Sequence, residues 1–441
     1  MLMKGKASAL MLMIVLSFSI VSVSFVHFAE ANPPPDLYPT PLPIAHLYIK
    51  SDFTLTGNIL NCTLEVQSDN VVIDGAGYAL EGHWGYNGIT LIGRSNGTIK
   101  NLKIQGFDFG ISISGNSNHI TIAGNTLIGT PIQIDDSSNS TIIGNTLIGC
   151  GIEIDDSSKN TIIDNNMDSS TVEIYRSNNN RVLNNYFHGD VLGSFVYLGT
   201  ANCNIISTNV VTSVVSSLDR GIYLSNCLEN IIIANNITGS RVGIEIAGSL
   251  SNNITGNFLY NNSDGFFIRN YMYNDSDGVR SRSGEPKIIL LSEFTNKSLK
   301  VNIFSQNDVC GNKKSVRASW QIYYPVSEDL LTDWHKMPIS LFGNYWSDYN
   351  GTDSNGDGVG DKPYYTTDPF YVDSHPLMVP TYIRNITITT PKIQTIDELQ
   401  NEELENSTFR MMLNNFIFYG VIILIATGLI LLIHYFQKRK R

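Results

Sequence analysis

Charged residues are scarce in this sequence of 441 residues: they make up 16% of the chain, and the formal net charge is −11. Lysine and arginine form no stripe or cluster before the last residues of the chain. Proteins that bind nucleic acid need such a basic surface, so we expect no nucleic-acid partner. Cysteine is also rare, and five cysteines cannot form a complete disulfide framework. The histidines are scattered, and no Cys-x-x-Cys or His-x-His motif offers copper or zinc a ligand set.

What the chain contains instead is a repeat. A residue that is most often small, followed by apolar–any–apolar, recurs at intervals of 20 to 26 residues. The units begin at Gly88, Gly110, Pro131, Gly151, Thr171, Phe195, Gly221, Gly243 and Gly265. Each unit is too short for a strand–helix–strand crossover, and its alternating apolar residues indicate strands. The repeat therefore predicts an all-β parallel β-helix, in which each unit forms one coil of three strands.

An asparagine recurs at the same intervals as the repeat. It occurs at Asn125, Asn145, Asn165, Asn185, Asn209, Asn235 and Asn257. The residues three before and two after each of these asparagines are apolar, and so is the pair within each unit. We expect these three columns to fill the core of the stacked coils. Stacked asparagines form side-chain amide ladders, and we predict one at a turn of each coil.

The flanking segments predict export and a membrane anchor. Residues 1–31 have two early lysines, an apolar run and the cleavage site Ala29-Glu30-Ala31, which is typical of a secretory signal; a retained anchor is the alternative. Residues 416–436 are long and apolar enough to span a bilayer, and the basic residues 437–441 place the tail in the cytoplasm. We expect a single-pass cell-membrane protein with its ectodomain outside. Eleven Asn-x-Ser/Thr sequons agree with that location and permit glycosylation.

These observations divide the chain into eight predicted segments. They are a signal peptide (1–31), a proline-rich extended segment (32–46), β-helix repeats (47–268), irregular coils or an insertion (269–343), a C-terminal cap with an Asp/Gly loop (344–380), a polar stalk (381–415), a transmembrane helix (416–436) and a basic cytoplasmic tail (437–441).

The outward column of the repeated strand carries residues suited to sugars. Tyr197, Tyr223 and Phe267 offer rings that stack on pyranose faces, and Glu245 stands in the same column. We predict that these four residues bind polysaccharide or another surface partner, such as a surface protein. Ordinary exposed aromatics of a strand are the alternative interpretation.

Carboxylates occupy the same column on two successive coils. Glu153 and Glu173 should lie ~5 Å apart, which is the carboxyl separation of retaining glycosidases, and Asp155 and Asp156 flank the same strand. Two carboxylates that close raise the pKa of one of them, as an acid catalyst needs. Stacked coils also produce such pairs without any function. We favour a solvated carboxylate ladder, and a glycan-cleaving lyase or hydrolase site remains the alternative.

Residues 353–361 contain a candidate calcium loop. The oxygen ligands would come from Asp353, Asn355, Asp357, the Val359 carbonyl and Asp361. Tyr364 stands where an EF-hand loop has its bidentate glutamate, so we expect weaker affinity. We favour a structural Ca²⁺ over a plain Gly/Asp turn.

The repeat and two C-terminal motifs resemble the NosD-like right-handed parallel β-helix family. The motifs are Gly343-Asn344-Tyr345-Trp346-Ser347-Asp348-Tyr349 and Asp373-Ser374-His375-Pro376-Leu377-Met378. The resemblance covers residues 70–378 and implies a right-handed solenoid of carbohydrate-binding and sugar-hydrolase-type repeats. It also implies a copper-site maturation accessory role, which is the family's namesake activity. We do not carry copper delivery over, because the sequence offers no recognisable set of copper ligands.

Overall fold

The structure is a computed structural model that describes residues 44–214, 219–273, 289–290, 301–322, 339–367 and 371–381. These residues form an all-β parallel solenoid of the right-handed type, without helices, which confirms the predicted fold class. The predicted signal peptide (1–31) and transmembrane helix (416–436) lie outside the described residues. Within the described ranges, no helix has the length and apolar character that crossing a membrane requires.

Among the described residues the strands form three sheets, of 13, 14 and 12 strands, and each coil of the repeat adds one strand to every sheet. Sheet 1 contains Ala45–Ile49, Cys62–Val66, Asn87–Ile92, Phe109–Ser114, Ile132–Asp135, Gly151–Asp155, Thr171–Tyr175, Ser194–Gly199, Arg220–Ser225, Val242–Ala247, Asp264–Tyr273, Ile289–Leu290 and Lys314–Ile322. Sheet 2 contains Phe53–Thr54, Val72–Asp74, Thr98–Lys100, Thr121–Ala123, Thr141–Ile143, Thr161–Ile163, Arg181–Leu183, Ile205–Ser207, Ile231–Ile233, Asn253–Thr255, Asn302–Ser305, Ile339–Phe342, Val372–Asp373 and Tyr364–Tyr365. Sheet 3 contains Ile59–Leu60, Ala79–Glu81, Lys103–Gln105, Thr126–Ile128, Thr146–Ile148, Asn166–Asp168, Tyr186–Gly189, Val210–Ser213, Asn236–Thr238, Phe258–Tyr260, Asp308–Cys310 and Tyr345–Trp346.

The three predicted apolar columns fill the interior of the solenoid. Ile132, Ile152 and Val172 are successive register partners in sheet 1, and Leu127 and Leu147 are partners in sheet 3. All five side chains are fully buried. Burying an aliphatic side chain of this size contributes ~1.5–3 kcal/mol, so each coil adds a similar increment to the core.

The small residue at the start of each unit has a steric cause. A Cβ on Gly243 would lie 2.6 Å from the carbonyl oxygen of Gly265 in the next coil. A Cβ on Gly221 would likewise lie 2.6 Å from the carbonyl oxygen of Gly243. The corner between sheets 3 and 1 is therefore too tight for a larger side chain at these coils.

The predicted asparagine ladder is confirmed. The backbone N–H and Nδ2 of Asn145 both donate to Oδ1 of Asn165, at 2.9 and 3.0 Å. Asn165 donates to Asn185 in the same way, and its Nδ2 also donates to the Ile142 carbonyl of the preceding coil at 3.0 Å. The ladder continues through Asn209, Asn235, Asn257, Asn307 and Asn344. Each buried rung thus satisfies backbone groups of the turn that no sheet reaches.

The solenoid continues past residue 268, where the period disappears from the sequence. Asn257 bonds to Asn307, the rung fifty residues further on. Asn302–Ser305, Asp308–Cys310 and Lys314–Ile322 pair in parallel with the strands of the preceding coil. The described strands between residues 302 and 322 thus keep the three-sheet register, and the fifty-residue spacing between rungs hides the repeat in the sequence.

A buried carboxylate ends the ladder. Asp373 accepts hydrogen bonds from the Asn344 backbone N–H and Nδ2, at 2.9 and 3.0 Å, and from Trp346 Nε1 at 3.1 Å. Trp346 also stacks on Tyr364, with ring centroids 4.7 Å apart. The Gly-Asn-Tyr-Trp motif therefore serves as the last coil and the cap of the core.

Replacing one rung tests how much the ladder contributes. Asn165→Ala should lower the free energy of unfolding by about 2–5 kcal/mol, because it leaves the buried backbone N–H of Asn145 without its acceptor and removes the hydrogen bonds that the Asn165 side-chain amide makes to Asn145, Ile142 and Asn185. Urea unfolding measures the change. Asn166→Ala, one residue later and on the outer side of sheet 3, is the control and should cost under about 1 kcal/mol. An equal decrease in the free energy of unfolding in the two variants would show that the ladder contributes no more than an ordinary surface residue.

Candidate functional site

Sheet 1 brings the predicted catalytic and ligand-binding residues onto its outer side. The outer row, as we call it, is a set of successive register partners, one from each coil, ~4.8 Å apart. It comprises Ser112, Gln133, Glu153, Glu173, Tyr197, Tyr223, Glu245, Phe267 and Arg317. The sequence placed all of these on one face except Arg317, whose coil lies beyond the loss of the period.

Tyrosine rings form the middle of the outer row. Tyr197 lies between Tyr175 and Tyr223, with ring centroids 5.0 and 5.2 Å apart. Both Tyr197 and Tyr223 are half-buried. A Cβ on Gly199 would lie 2.8 Å from the Tyr197 hydroxyl, so glycine at that position leaves room for the ring to lie along the sheet. The rings make a continuous aromatic surface across three coils.

The carboxylate pair lies at one end of this aromatic surface. Glu153 and Glu173 are register partners, as the sequence predicted, and the Tyr175 hydroxyl donates to Glu173 Oε2 at 3.0 Å. Burial raises the pKa of the Glu153 carboxyl, and the negative charge of Glu173 raises it further. A carboxyl group with a raised pKa beside a second carboxyl group is an arrangement that general acid catalysis uses.

The two flanking aspartates are engaged by an arginine. Arg176 forms ion pairs with Asp155 and with Asp156, and its Nε lies 3.1 Å from both Asp156 oxygens. Asp135 lies beside them, and burial and the charge of Asp155 raise the pKa of its carboxyl. Asp155 and Asp156, which the sequence offered as catalytic candidates, thus neutralise Arg176.

An open cleft of about 620 Å³ runs beside Glu153. Trp84, Phe109, Pro131 and Thr171 also line it. The Trp84 side chain is 71% exposed, which is unusual for so large an apolar group. Trp84 precedes the first repeat unit, which begins at Gly88, and no periodic pattern in the sequence marks it, so the sequence did not indicate a role for it.

The structure corrects the prediction that Glu245 faces solvent. Glu245 does lie on the outer side of sheet 1, but it is fully buried beneath arginines. Arg220 pairs with it closely, Arg269 Nη2 lies 2.8 Å away, and Arg241 Nη2 lies 3.6 Å away. The alternation of apolar and polar residues along a strand distinguishes its outer side from its core side. It does not show whether long side chains from neighbouring coils cover a given outer residue.

Phe267 is covered in the same way and is only 5% exposed. The guanidinium of Arg317 lies 3.7 Å from the ring centroid, and that of Arg269 lies 5.0 Å from it. Arg317 Nε also lies 2.7 Å from Asp264 Oδ2. We call Arg220, Arg241, Arg269 and Arg317 the arginine cluster. The exposed surface at this end therefore consists of guanidinium groups rather than of the Glu245 carboxylate and the Phe267 ring.

The candidate calcium loop forms a turn held by its own polar groups. Asp353 accepts from the N–H groups of Gly356 and Gly358 at 2.7 and 2.9 Å. Ser354 donates to Asp361, and this hydrogen bond is the largest cause of the lowered pKa of the Asp361 carboxyl. Asn355, Asp357 and Val359 complete the turn. In the described ranges, only Asp135, Asp155 and Asp156 place three carboxylate oxygens within 4.8 Å of one another. The carboxylates of Asp353, Asp357 and Asp361 are therefore not that close together in the loop.

The described histidines and cysteines are spread over the fold and do not gather as a set of copper ligands. Among the described residues, no histidine or cysteine belongs to a group of three side chains close enough to hold one ion. His46 instead bonds to Thr63 at 2.9 Å, His188 lies 3.8 Å from Asp168, and Cys227 is a buried free thiol. The donor set of this part of the chain does not fit a copper centre.

The sequence carries a family signature that agrees with this architecture. The profile of the NosD family, described as periplasmic copper-binding protein, matches residues 46–193 and 191–351. The chain belongs to the NosD family. The predicted family resemblance is thereby confirmed.

Solved structures with a similar fold include several sugar-active proteins. A mutant of the periplasmic alginate epimerase AlgG has 16% identity over 68% of this chain and 74% of its own, with a TM-score of 0.47. The A-module of mannuronan C-5 epimerase AlgE4 from Azotobacter vinelandii has 11% identity over 63% of this chain and 90% of its own, with a TM-score of 0.34. The catalytic domain of a GH87 alpha-1,3-glucanase has 14% identity over 65% and 63%, with a TM-score of 0.37. Similarity at this level is too low to support an argument about function. No curated protein matches the chain significantly.

The raised pKa of Glu153 has a consequence for stability. The pKa of Glu153 is higher in the folded chain than its ordinary value of 4.5. The protonated carboxyl group therefore makes its full stabilising contribution to the free energy of unfolding at pH values below 4.5. The contribution is lost as the pH rises through the folded-state pKa. Glu153→Gln should therefore raise the melting temperature more at pH 7 than at pH 4, as calorimetry can measure. Glu65→Gln, on the same sheet, is the control, and an equal effect of Glu153→Gln at both pH values would contradict the assignment.

Calcium binding by the Asp/Gly loop stays a prediction with a direct test. Millimolar Ca²⁺ should raise the melting temperature of the full-length chain, because an ion that binds only the folded state stabilises it. Asp357→Asn removes one ligand charge with little change of shape and should abolish the increase. An unchanged increase in that variant, or no increase in the parent chain, would exclude a cation at this loop.

Proposed function

We propose that this NosD-family protein is held at the cell surface by a C-terminal membrane span and binds polysaccharide along the outer face of sheet 1. The observation that carries the proposal is the aromatic surface of Tyr175, Tyr197 and Tyr223, which runs along the coil axis. Carboxylates flank it at one end and arginines at the other. A solenoid uses such a length-wise surface for extended ligands.

The chemistry of this surface suits sugars. Tyrosine combines an apolar ring, which packs on the C–H groups of a pyranose, with a hydroxyl that forms hydrogen bonds. Glu173 can accept hydrogen bonds from sugar hydroxyls at the next coil. The coil spacing of ~4.8 Å is close to the length of one sugar unit, so neighbouring coils can contact neighbouring units. The cleft beside Trp84 and Glu153 extends the surface sideways, and its volume is within the usual range of about 300–1,000 Å³ for ligand sites.

The surface location rests on the sequence alone. The apolar run 416–436, the basic tail 437–441 and the signal-like residues 1–31 support an exported ectodomain with one membrane span. Copper delivery is not part of the proposal, because the described residues do not gather a copper donor set.

A glycan-cleaving activity is the second candidate. The observation that favours it is the Glu153–Glu173 pair, in which one carboxyl has a raised pKa and opens onto the cleft. Glu153 would serve as the general acid and Glu173 as the second carboxyl group of the pair. The same pair also follows from stacking equal coils, and for this reason binding is the leading proposal.

A glycan-array screen of the full-length chain tests the proposal. The combined Tyr197→Ala and Tyr223→Ala changes should weaken binding by about tenfold or more, because they remove two stacking rings. Tyr260→Ala is the matched control, since Tyr260 is 47% exposed on the outer side of sheet 3.

A reducing-end assay on any bound glycan separates the two candidates. Binding without product supports a binding protein, whereas product that disappears in Glu173→Gln identifies an enzyme. Binding that survives the double tyrosine change would place the ligand elsewhere. If the parent chain binds no glycan, the polysaccharide proposal is wrong, and a surface protein becomes the partner to seek.

A further inference from the structure

The arginine cluster gathers four guanidinium groups around two carboxylates, Glu245 and Asp264. Glu245 is shared by Arg220, Arg241 and Arg269, and one carboxylate has fewer acceptor sites than three guanidiniums have donors. The other carboxylates nearby are Asp264, which pairs with Arg317, and Asp219, which accepts the Arg241 backbone N–H. Lys314 adds a further cation beside Asp264. Within the described residues, the region thus concentrates five cations beside three carboxylates, and Arg269 has a further interaction besides Glu245.

The hydrogen bonding within the cluster is also incomplete. Glu245 Oε1 lies 2.8 Å from Arg269 Nη2, and Arg317 Nε lies 2.7 Å from Asp264 Oδ2, yet neither contact has hydrogen-bond geometry. In the part of the chain that the structure describes, the Arg241 guanidinium has one ion-pair contact, at 3.6 Å. Burial lowers the pKa of Arg241, and the positive charge of Arg220 lowers it further. A network serving stability alone would be expected to satisfy such groups.

Aromatic rings hold the guanidiniums in place. Arg220 lies 4.9 Å above the Tyr223 ring, and Arg317 and Arg269 lie over Phe267. Guanidinium groups stacked on rings keep their N–H edges for planar anions such as carboxylates, which they bind in a bidentate manner. Each arginine side chain of the cluster remains 21–33% exposed, so a ligand on the outer face can reach the cluster.

We propose that the arginine cluster binds the carboxylate of a uronic acid residue, and that the ligand of the outer face is therefore an acidic polysaccharide. The inference rests on the proposed glycan-binding function and names its substrate class. The uronate carboxylate would lie on the guanidinium edges, and the adjoining sugar ring would pack on Tyr223. The acidic end of the outer row, at Glu153 and Glu173, repels a second uronate, so neutral sugars fit there better.

The test compares ligands that differ only in charge. The probes are short oligosaccharides with one terminal glucuronate or galacturonate, the methyl esters of the same compounds, and their neutral counterparts. Isothermal titration of the full-length chain should give about tenfold or greater preference for the free acid over its methyl ester, with the preference falling as salt is added.

Arg241→Gln is the decisive variant, because Arg241 makes the weakest ion pair with Glu245 and its loss should spare the fold. It should lower the affinity for the free acid to that for its methyl ester, so that the preference for the acid disappears. Arg181→Gln makes the same charge change at an exposed site on sheet 2 and should change neither affinity. Melting temperatures of both variants identify any loss of fold.

The outcomes separate this inference from the function on which it rests. If acid and methyl ester bind equally well, the inference is wrong and glycan binding stands. If the acid is preferred but Arg241→Gln keeps the preference, the carboxylate is recognised elsewhere, and the inference is again wrong. If none of the three ligand classes binds, both the inference and the proposed function fail.

Discussion

The amide ladder is the interaction on which the rest of the molecule depends. Each rung asparagine accepts from the coil before it and donates to the coil after it, so the ladder sets the spacing and alignment of successive coils at one turn. Because the alignment is fixed there, coil length can vary at other turns without disturbing the core columns. Asp373 supplies acceptors to the last rung, which lets the ladder end inside a closed cap.

The same constraint explains which parts of the fold could be predicted. The apolar columns and the asparagine rungs recur at a nearly constant step, so their burial and bonding followed from periodicity. The coils after residue 268 could not be predicted from periodicity, because fifty residues separate Asn257 from Asn307. The hydrogen bond between these two asparagines nevertheless resembles those between the other rungs. Trp84 and the arginine cluster escaped prediction because they lie at turns, at strand ends or beyond the lost period, and long side chains reach sideways over the outer row.

Inward and outward residues of sheet 1 have separate tasks. The inward side chains are apolar at every coil, with aliphatic residues at most positions and Phe266 at one of them. The outer row changes along the axis instead: carboxylates at Glu153 and Glu173, rings at Tyr197 and Tyr223, then guanidiniums that cover Glu245. A purely structural ladder has no need of such a gradient of charge. The proposed ligand, a glycan with an acidic sugar at one end, would match this change of charge along the axis.

The central claim is that the outer face of sheet 1 recognises an acidic glycan through tyrosines and arginines together. A crystal structure of the protein with a bound uronate-containing oligosaccharide tests it most directly. The account predicts the sugar chain along the coil axis, with a ring packed on Tyr223 and a carboxylate on the arginine cluster. A sugar bound on sheet 2 or sheet 3, or with its carboxylate away from the arginines, would contradict the account.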